Sequence, residues 1–410
     1  MRGPFILCAA AVCCSIAVIS GQASDPLPRA KPESVGLVDA PLAAATAVLK
    51  EHVDAGKSAG VVAMLARHGR LAYSVSIGYQ DLATRTPMSE RSIFRIYSMT
   101  KPITAVAVMM LFEQGTFQLD DPVSKYLREF SSVVVRNPDG TTRPPARAVT
   151  IRDLLLHTSG LNHRTSDVYR DAHVRSRSIA LPQFVSNVVR VPLMEDPGTR
   201  FRYSESTTVL GRLVEIWSGQ PFDTFLDARI FKPLRMVDTG FQASPAQRSR
   251  LATVYGPGPS RELREVEIES VPFTERPALL EGAVGLLSTG PDFLRFAQML
   301  LQRGELDGVR LLKAETVDSM VRNDLGDAVL AARGNGVMGW GLGNVDIVMK
   351  PEATRYPANR GEYGWDGTAG TIFWNDPTGD TAILLLTQNS PADPDNLRRK
   401  FKTAIQAAVK

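Results

Sequence analysis

Strand-forming segments stand at both ends of this chain with a long helical stretch between them, and that order constrains the fold more than any other feature. Residues 61–66 and 71–76 are two apolar runs around a His68-Gly69-Arg70 turn, the pattern of a hairpin. The last hundred residues hold three more strand-like runs, at 345–349, 370–374 and 382–387. Between them the apolar spacing is helical, at 101–114, 151–157, 181–189, 207–217 and 291–301, with long irregular connections. A helix at 42–53 precedes the first strands and another at 395–409 closes the chain. One sheet built from both chain ends follows, with terminal helices on one face and a helical lobe beside it. The expected division is 24–93 with 291–410 as the sheet lobe and 94–290 as the mainly helical lobe. Catalytic groups belong in the cleft between them.

Residues 1–23 stand apart. Arg2 supplies a positive start, Phe5 to Ile19 is apolar, and Gly21-Gln22-Ala23 offers the small residues of a cleavage site. This reads as a secretory signal cut after Ala23, so the expected location is periplasmic or secreted, with no stable membrane anchor. All three cysteines, Cys8, Cys13 and Cys14, fall inside it. The remaining chain has no disulfide, no thiol nucleophile and no cysteine-bound metal to offer. With 47 basic against 43 acidic residues the surface is nearly balanced. The Arg398-Arg399-Lys400 run with Lys402 reads as a solvated helix face, so no nucleic-acid partner is expected.

Two serine motifs compete for the nucleophile. Gly56-Lys57-Ser58-Ala59-Gly60 has the G-x-S-x-G form, but that motif works on a turn from a strand into a helix. Here a helix precedes and a strand follows, so the segment reads as a helix end turning into the sheet. Ser98-Met99-Thr100-Lys101 is an S-x-x-K, which at helical spacing brings the Lys101 amine to the Ser98 hydroxyl. Burial disfavours the charged ammonium and so prepares Lys101 as a base. Pro102 is compatible with this only where the helix starts at or near Ser98. A Ser-His-Asp triad is disfavoured because no histidine follows His173, where α/β hydrolases place theirs. His157, His163 and His173 near Asp167 and Asp171 match no metal signature, so no metal is expected.

Two further segments join the S-x-x-K: Pro197-Gly198-Thr199-Arg200-Phe201-Arg202-Tyr203-Ser204 before an apolar helix, and Gly364-Trp365-Asp366-Gly367-Thr368-Ala369-Gly370 before a strand. With Leu154-Leu155-Leu156-His157-Thr158-Ser159-Gly160-Leu161 and Gly285-Leu286-Leu287-Ser288, these segments resemble the serine β-lactamase and penicillin-binding protein superfamily. Within it the chain looks most like class C β-lactamases and especially family VIII carboxylesterases. The resemblance implies an α+β, β-lactamase/transpeptidase-like fold and a cofactor-free reaction. It implies Ser98 as acylated nucleophile, Lys101 as its buried basic partner and Tyr203 as second base. It puts the oxyanion hole at the backbone N–H groups of Ser98 and Thr368, with Glu205, Trp365, Asp366 and Gly367 in the substrate pocket.

Two departures from the lactamase pattern shape the expected substrate. Position 205 is Glu where the Tyr-x-Asn motif has Asn, and Trp365-Asp366-Gly367 replaces Lys-Thr-Gly. Glu205 and Asp366 in one neighbourhood would repel an anionic antibiotic, unless a cation such as Arg333 or Arg360 offsets them. The expectation is therefore hydrolysis of small carboxylic esters. A class C-like β-lactamase or D-alanyl-D-alanine peptidase uses the same machinery, and an acyltransferase would look identical. A catalytically silent protein that binds a cell-wall peptide or acyl compound is the alternative of another class.

Overall fold

The computed structural model describes residues 27–409; the signal-like segment and the three cysteines lie outside them. After helix α1 (Asp39–Asp54) come strands β1 (Gly60–Arg67), β2 (Arg70–Asp81) and β3 (Thr86–Pro87). Helices α2 (Thr100–Glu113), α3 (Ser206–Ser218) and α4 (Gly290–Leu301) follow among shorter helices and hairpins. Strands β4 (Met338–Trp340), β5 (Asp346–Val348), β6 (Tyr363–Asp366), β7 (Ile372–Asp376) and β8 (Thr381–Leu386) return to the sheet before helix α5 (Leu397–Gln406). The eight strands run in the order β4-β5-β6-β7-β8-β1-β2-β3, every neighbouring pair antiparallel. The β1–β8 ladder, with Val62 opposite Leu386, closes the sheet from the two ends of the chain.

Strand β1 shows why its sequence is apolar at successive positions. Successive side chains on a strand point to opposite faces, and both faces here are covered. Val61, Ala63 and Leu65 pack with Leu42, Ala45 and Leu49 of α1 and with Phe401 and Ile405 of α5. Val62, Met64 and Ala66 join Phe293 and Phe296 of α4 and the core that runs through α2 and α3. The fold is α+β, with both terminal helices on one face of an antiparallel sheet, as the sequence order leads one to expect. No helix among the described residues is long and apolar enough to cross a membrane.

Helix ends lie close to the sequence reading, but three short strands of the sheet were not anticipated. β3 has two residues, β4 three and β6 four, too few for alternation to register. β6 matters because it carries the third motif to the cleft.

Candidate active site

Helix α2 is buried from Thr100 to Leu111, which accounts for a sequence apolar on every side. A single 3-10 turn, Tyr97–Met99, leads into it and carries Ser98. Pro102 therefore falls in the first α-helical turn, where a missing N–H breaks no helical bond. Tyr97 adopts a positive φ of 41°, an uncommon state for a residue with a side chain. The surroundings hold it there: Ile96 N–H donates to Leu286 O at 3.1 Å, and the Tyr97 ring meets Phe273 edge-on at 6.0 Å. Strained backbone of this kind clusters at functional sites. Here it lies immediately before a serine that is 7% exposed.

Lys101 is 1% exposed; its Nζ donates to Ala283 O at 3.1 Å and stands 4.5 Å from the centre of the Tyr203 ring. Burial pulls the Lys101 ammonium down to about 8, with Glu205 opposing the shift. Tyr203 is driven the other way, burial pushing its phenol well above the usual range while hydrogen bonds to Ser98 and Trp365 hold it back. The Trp365 indole N–H donates to the Tyr203 oxygen at 3.1 Å. The structure thus brings Ser98, Lys101, Tyr203 and Trp365 into one cluster.

The second motif is seated on the His157–Asn162 segment. Arg202 N–H donates to His157 O at 2.8 Å, Ser204 N–H to His157 Nδ1 at 3.2 Å, and Glu205 N–H to Asn162 O at 3.0 Å. His157 is fully buried, with its ring 4.9 Å from that of Tyr203. Burial and Lys101 together hold its imidazole neutral. His163 stacks on Tyr203 at 5.5 Å and is held down to about 4, chiefly by burial and then by Lys101. Among the described residues no three His, Cys, Asp or Glu side chains are spaced for a metal ion.

The third motif reaches the nucleophile through a glycine. A Cβ at Gly367 would lie 2.5 Å from Ile96 O and 2.3 Å from Thr371 Oγ1, closer than any side chain tolerates. Gly367 therefore lets β6 press against the Ile96–Ser98 turn. The next residue, Thr368, is exposed, and its backbone N–H has no hydrogen-bond partner among the described residues. In the opening turn Met99 N–H donates to Ile96 O at 3.0 Å, while the Ser98 N–H has no hydrogen-bond partner among the described residues. Two such donors flanking a serine make an oxyanion hole when both face the same oxygen.

The β-lactamase family matches residues 45–408. The chain belongs to the β-lactamase family. It is 34% identical to Protein Rv1367c of Mycobacterium tuberculosis over 84% of this chain and 89% of that one. Esterase EstB of Burkholderia gladioli is 31% identical, over 81% of this chain and 86% of its own. Among solved structures, "EstCE1, a hydrolase with promiscuous acyltransferase activity" superposes with a TM-score of 0.77 at 26% identity, covering 90% of this chain and 99% of that one. The chain is a β-lactamase-fold hydrolase of the serine β-lactamase and penicillin-binding protein superfamily.

Two pocket expectations need correction. Trp365 points to Tyr203, but Asp366 follows it on the strand and turns to the opposite face, where Arg398 of α5 pairs with it. Arg398 also donates to Gly367 O and Thr371 O, each at 3.3 Å. Asp366 lies with Arg355, Tyr356, Trp374 and Arg398 in a cleft of about 600 Å³ on the α5 side of the sheet, and Ser98 is not part of that cleft's lining. Glu205 is fully buried at the start of α3, accepting from Thr208 Oγ1 at 2.8 Å, with its other oxygen buried and unpartnered. Burial first, then neighbouring Glu281, raise its carboxyl, so it holds its proton more tightly than an ordinary glutamate. Glu205 and Asp366 thus do not stand side by side, one being enclosed at the start of α3 and the other paired with Arg398, though both favour a charged Lys101. Nor do the two candidate arginines offset them: Arg333 pairs with Asp346 and lies 4.2 Å over Phe201, while Arg360 is exposed beside Lys350 in another surface hollow.

Some site residues carry no motif. Trp340, on the three-residue β4, packs edge-on against Trp365 at 4.7 Å and donates to Leu155 O. Behind Glu205, Arg175 grips Glu281 through two hydrogen bonds of 2.6 and 2.7 Å. Burial would raise Glu281, but Arg175 outweighs it and holds the carboxylate charged. The Gly-Trp-Gly around Trp340 is the one sequence signal that could have drawn attention to it.

Proposed function

We propose that this chain is an exported serine hydrolase that cleaves small carboxylic esters through an acyl-enzyme on Ser98. The observation that carries this reading is the setting of Tyr203 beside the S-x-x-K turn: its ring lies 4.5 Å under the Lys101 amine, its oxygen takes the indole N–H of Trp365 at 3.1 Å, and Ser98 acts on its phenol. In the first step Ser98 Oγ attacks the ester carbonyl carbon, and its proton passes to the Tyr203–Lys101 pair. The oxyanion is held by the N–H groups of Ser98 and Thr368. The proton then goes to the departing alkoxide, leaving the acyl group on Ser98. Water, deprotonated by the same pair, attacks that ester and releases the acid. Depressed by burial, Lys101 is the stronger candidate for the resting base, and neutral Tyr203 for the relay.

A tryptophan where lactamases carry a cation takes that charge out of the third motif, which favours neutral esters over a β-lactam carboxylate. EstB's description as an esterase supports the same substrate class. Acyl transfer is a second reading, favoured by the description of EstCE1: an alcohol replaces water at the acyl-enzyme. Export rests on residues 1–23 alone, and the mass of the N-terminal peptide from the extracytoplasmic fraction tests it.

The activity test compares the mature protein with Ser98→Ala on p-nitrophenyl acetate, p-nitrophenyl butyrate and a chromogenic cephalosporin. The expected result is ester turnover abolished in the variant and cephalosporin turnover roughly 100-fold or more below that of the esters. Cephalosporin cleavage equal to ester cleavage would make the β-lactamase reading the better one. Ester cleavage that survives in Ser98→Ala would overturn the mechanism.

A further inference from the structure

The oxyanion hole needs two N–H groups on segments far apart in the chain, and their spacing must be held to a fraction of an ångström. A pair of neighbouring residues just after β8 touches both segments. Gln388 grips the nucleophile's approach strand: Arg95 N–H donates to Gln388 Oε1 at 3.0 Å, and Gln388 Nε2 donates back to Arg95 O at 3.3 Å. Asn389 grips the other side, its N–H donating to Ala369 O at 2.8 Å, one residue beyond Thr368. Gln388 and Asn389 are each 3% exposed. Their backbone is fixed from outside as well, since Tyr255 N–H donates to Gln388 O and Ser390 N–H to Tyr255 O.

The Asn389 side chain is held by the serine of the G-x-S-x-G segment. Asn389 Nδ2 donates to Ser58 Oγ, and Ser58 Oγ lies 2.9 Å from His52 Nε2. With one lone pair accepting from Asn389, the Ser58 hydroxyl hydrogen is free to go to His52. Burial holds that imidazole neutral, able to accept it. Ser58 is 1% exposed, and its hydroxyl, engaged by Asn389 on one side and His52 on the other, works as a fixed post. The motif that looked like a nucleophile elbow thus finds a structural use at the junction of α1 and β1.

We propose that Gln388 and Asn389 are positioning residues that set the separation of the Ser98 and Thr368 N–H groups, with Ser58 and His52 anchoring Asn389. The inference rests on the Ser98 acyl-enzyme reading. Neither residue touches the reacting atoms. Each acts through the backbone beside a donor, so its loss weakens stabilisation of the tetrahedral species and leaves ground-state binding largely intact.

The test uses the mature protein with Gln388→Ala, Asn389→Ala and Ser58→Ala variants. Steady-state kinetics on p-nitrophenyl butyrate, affinity for phenylboronic acid (which forms a tetrahedral adduct on the serine) and thermal unfolding are measured for each. The expected result for Gln388→Ala and Asn389→Ala is a fall in kcat of roughly 10- to 100-fold with KM within about 2-fold. Boronate affinity should fall in parallel, and Ser58→Ala should show the same pattern more weakly. A Ser58→Ala/Asn389→Ala double variant should be no worse than Asn389→Ala, because the two act in series. Folded Gln388→Ala and Asn389→Ala proteins with unchanged kcat and boronate affinity would overturn the inference while leaving the Ser98 reading intact. Should neither fold, wild-type kinetics and boronate affinity in Ser58→Ala would overturn it. Wild-type turnover that does not depend on Ser98 would overturn both.

Discussion

Burial moves the two side chains beside Ser98 in opposite directions, yet to the same end. It disfavours the Lys101 ammonium and the Tyr203 phenolate alike, so both groups tend towards neutrality. A neutral amine accepts a proton and a neutral phenol passes one on, a division of labour that needs no phenolate at rest. Glu205 limits how far the lysine can go, because its negative charge favours the ammonium. Glu205→Gln keeps an acceptor for the Thr208 hydroxyl and removes only the charge. The Lys101 amine should then lose its proton more readily, so the acidic limb of the kcat/KM profile should move to lower pH. Profiles of both proteins between about pH 5 and 10 on one neutral ester check this. An unmoved limb would mean that Lys101 does not set it.

Gly367 shows the same site at the scale of elements. Strand β6 and the Ile96–Ser98 turn touch where only a hydrogen fits, so Gly367→Ala must push them apart. The cost in stability should be about 1–3 kcal/mol, as for other overpacked contacts. The fall in kcat should be roughly tenfold or more, because the Thr368 donor moves with the strand. Urea unfolding and kinetics on p-nitrophenyl butyrate measure the two separately, and a stability loss without a fall in kcat would detach Thr368 from the oxyanion hole. Element length also decides what the sequence discloses. Long helices such as α2 and α4, and the doubly covered strand β1, repeat their pattern often enough to be read. The side on which Asp366 lies depends on β6 being a strand, and among its four residues Gly364 and Asp366 are blanks in any apolar pattern. The Arg398 that neutralises Asp366 comes from a helix 32 positions away, a pairing that only the folded chain brings about.

Across the whole molecule, the sheet separates two cores that serve different ends. One face packs α2, α3 and α4 and carries the nucleophile; the other packs α1 and α5. No cysteine occurs among the described residues, so the closure of β1 on β8 across most of the chain is held without a disulfide, by packing, ladder hydrogen bonds and side-chain links such as Asn389–Ser58 and His68–Asp380. The α5 side should therefore carry stability that the chemistry does not draw on directly. Ile405 tests this: it is fully buried against the far face, about two turns along α5 from the Arg398 that reaches the third motif. Ile405→Ala should cost about 2–5 kcal/mol of stability, read from urea unfolding. Its kcat, normalised to the active sites counted by acylation, should stay within about 2-fold of the parent. A large fall in normalised kcat would show that the far core holds the catalytic geometry as well as the fold, and that α5 transmits strain through Arg398 to Gly367.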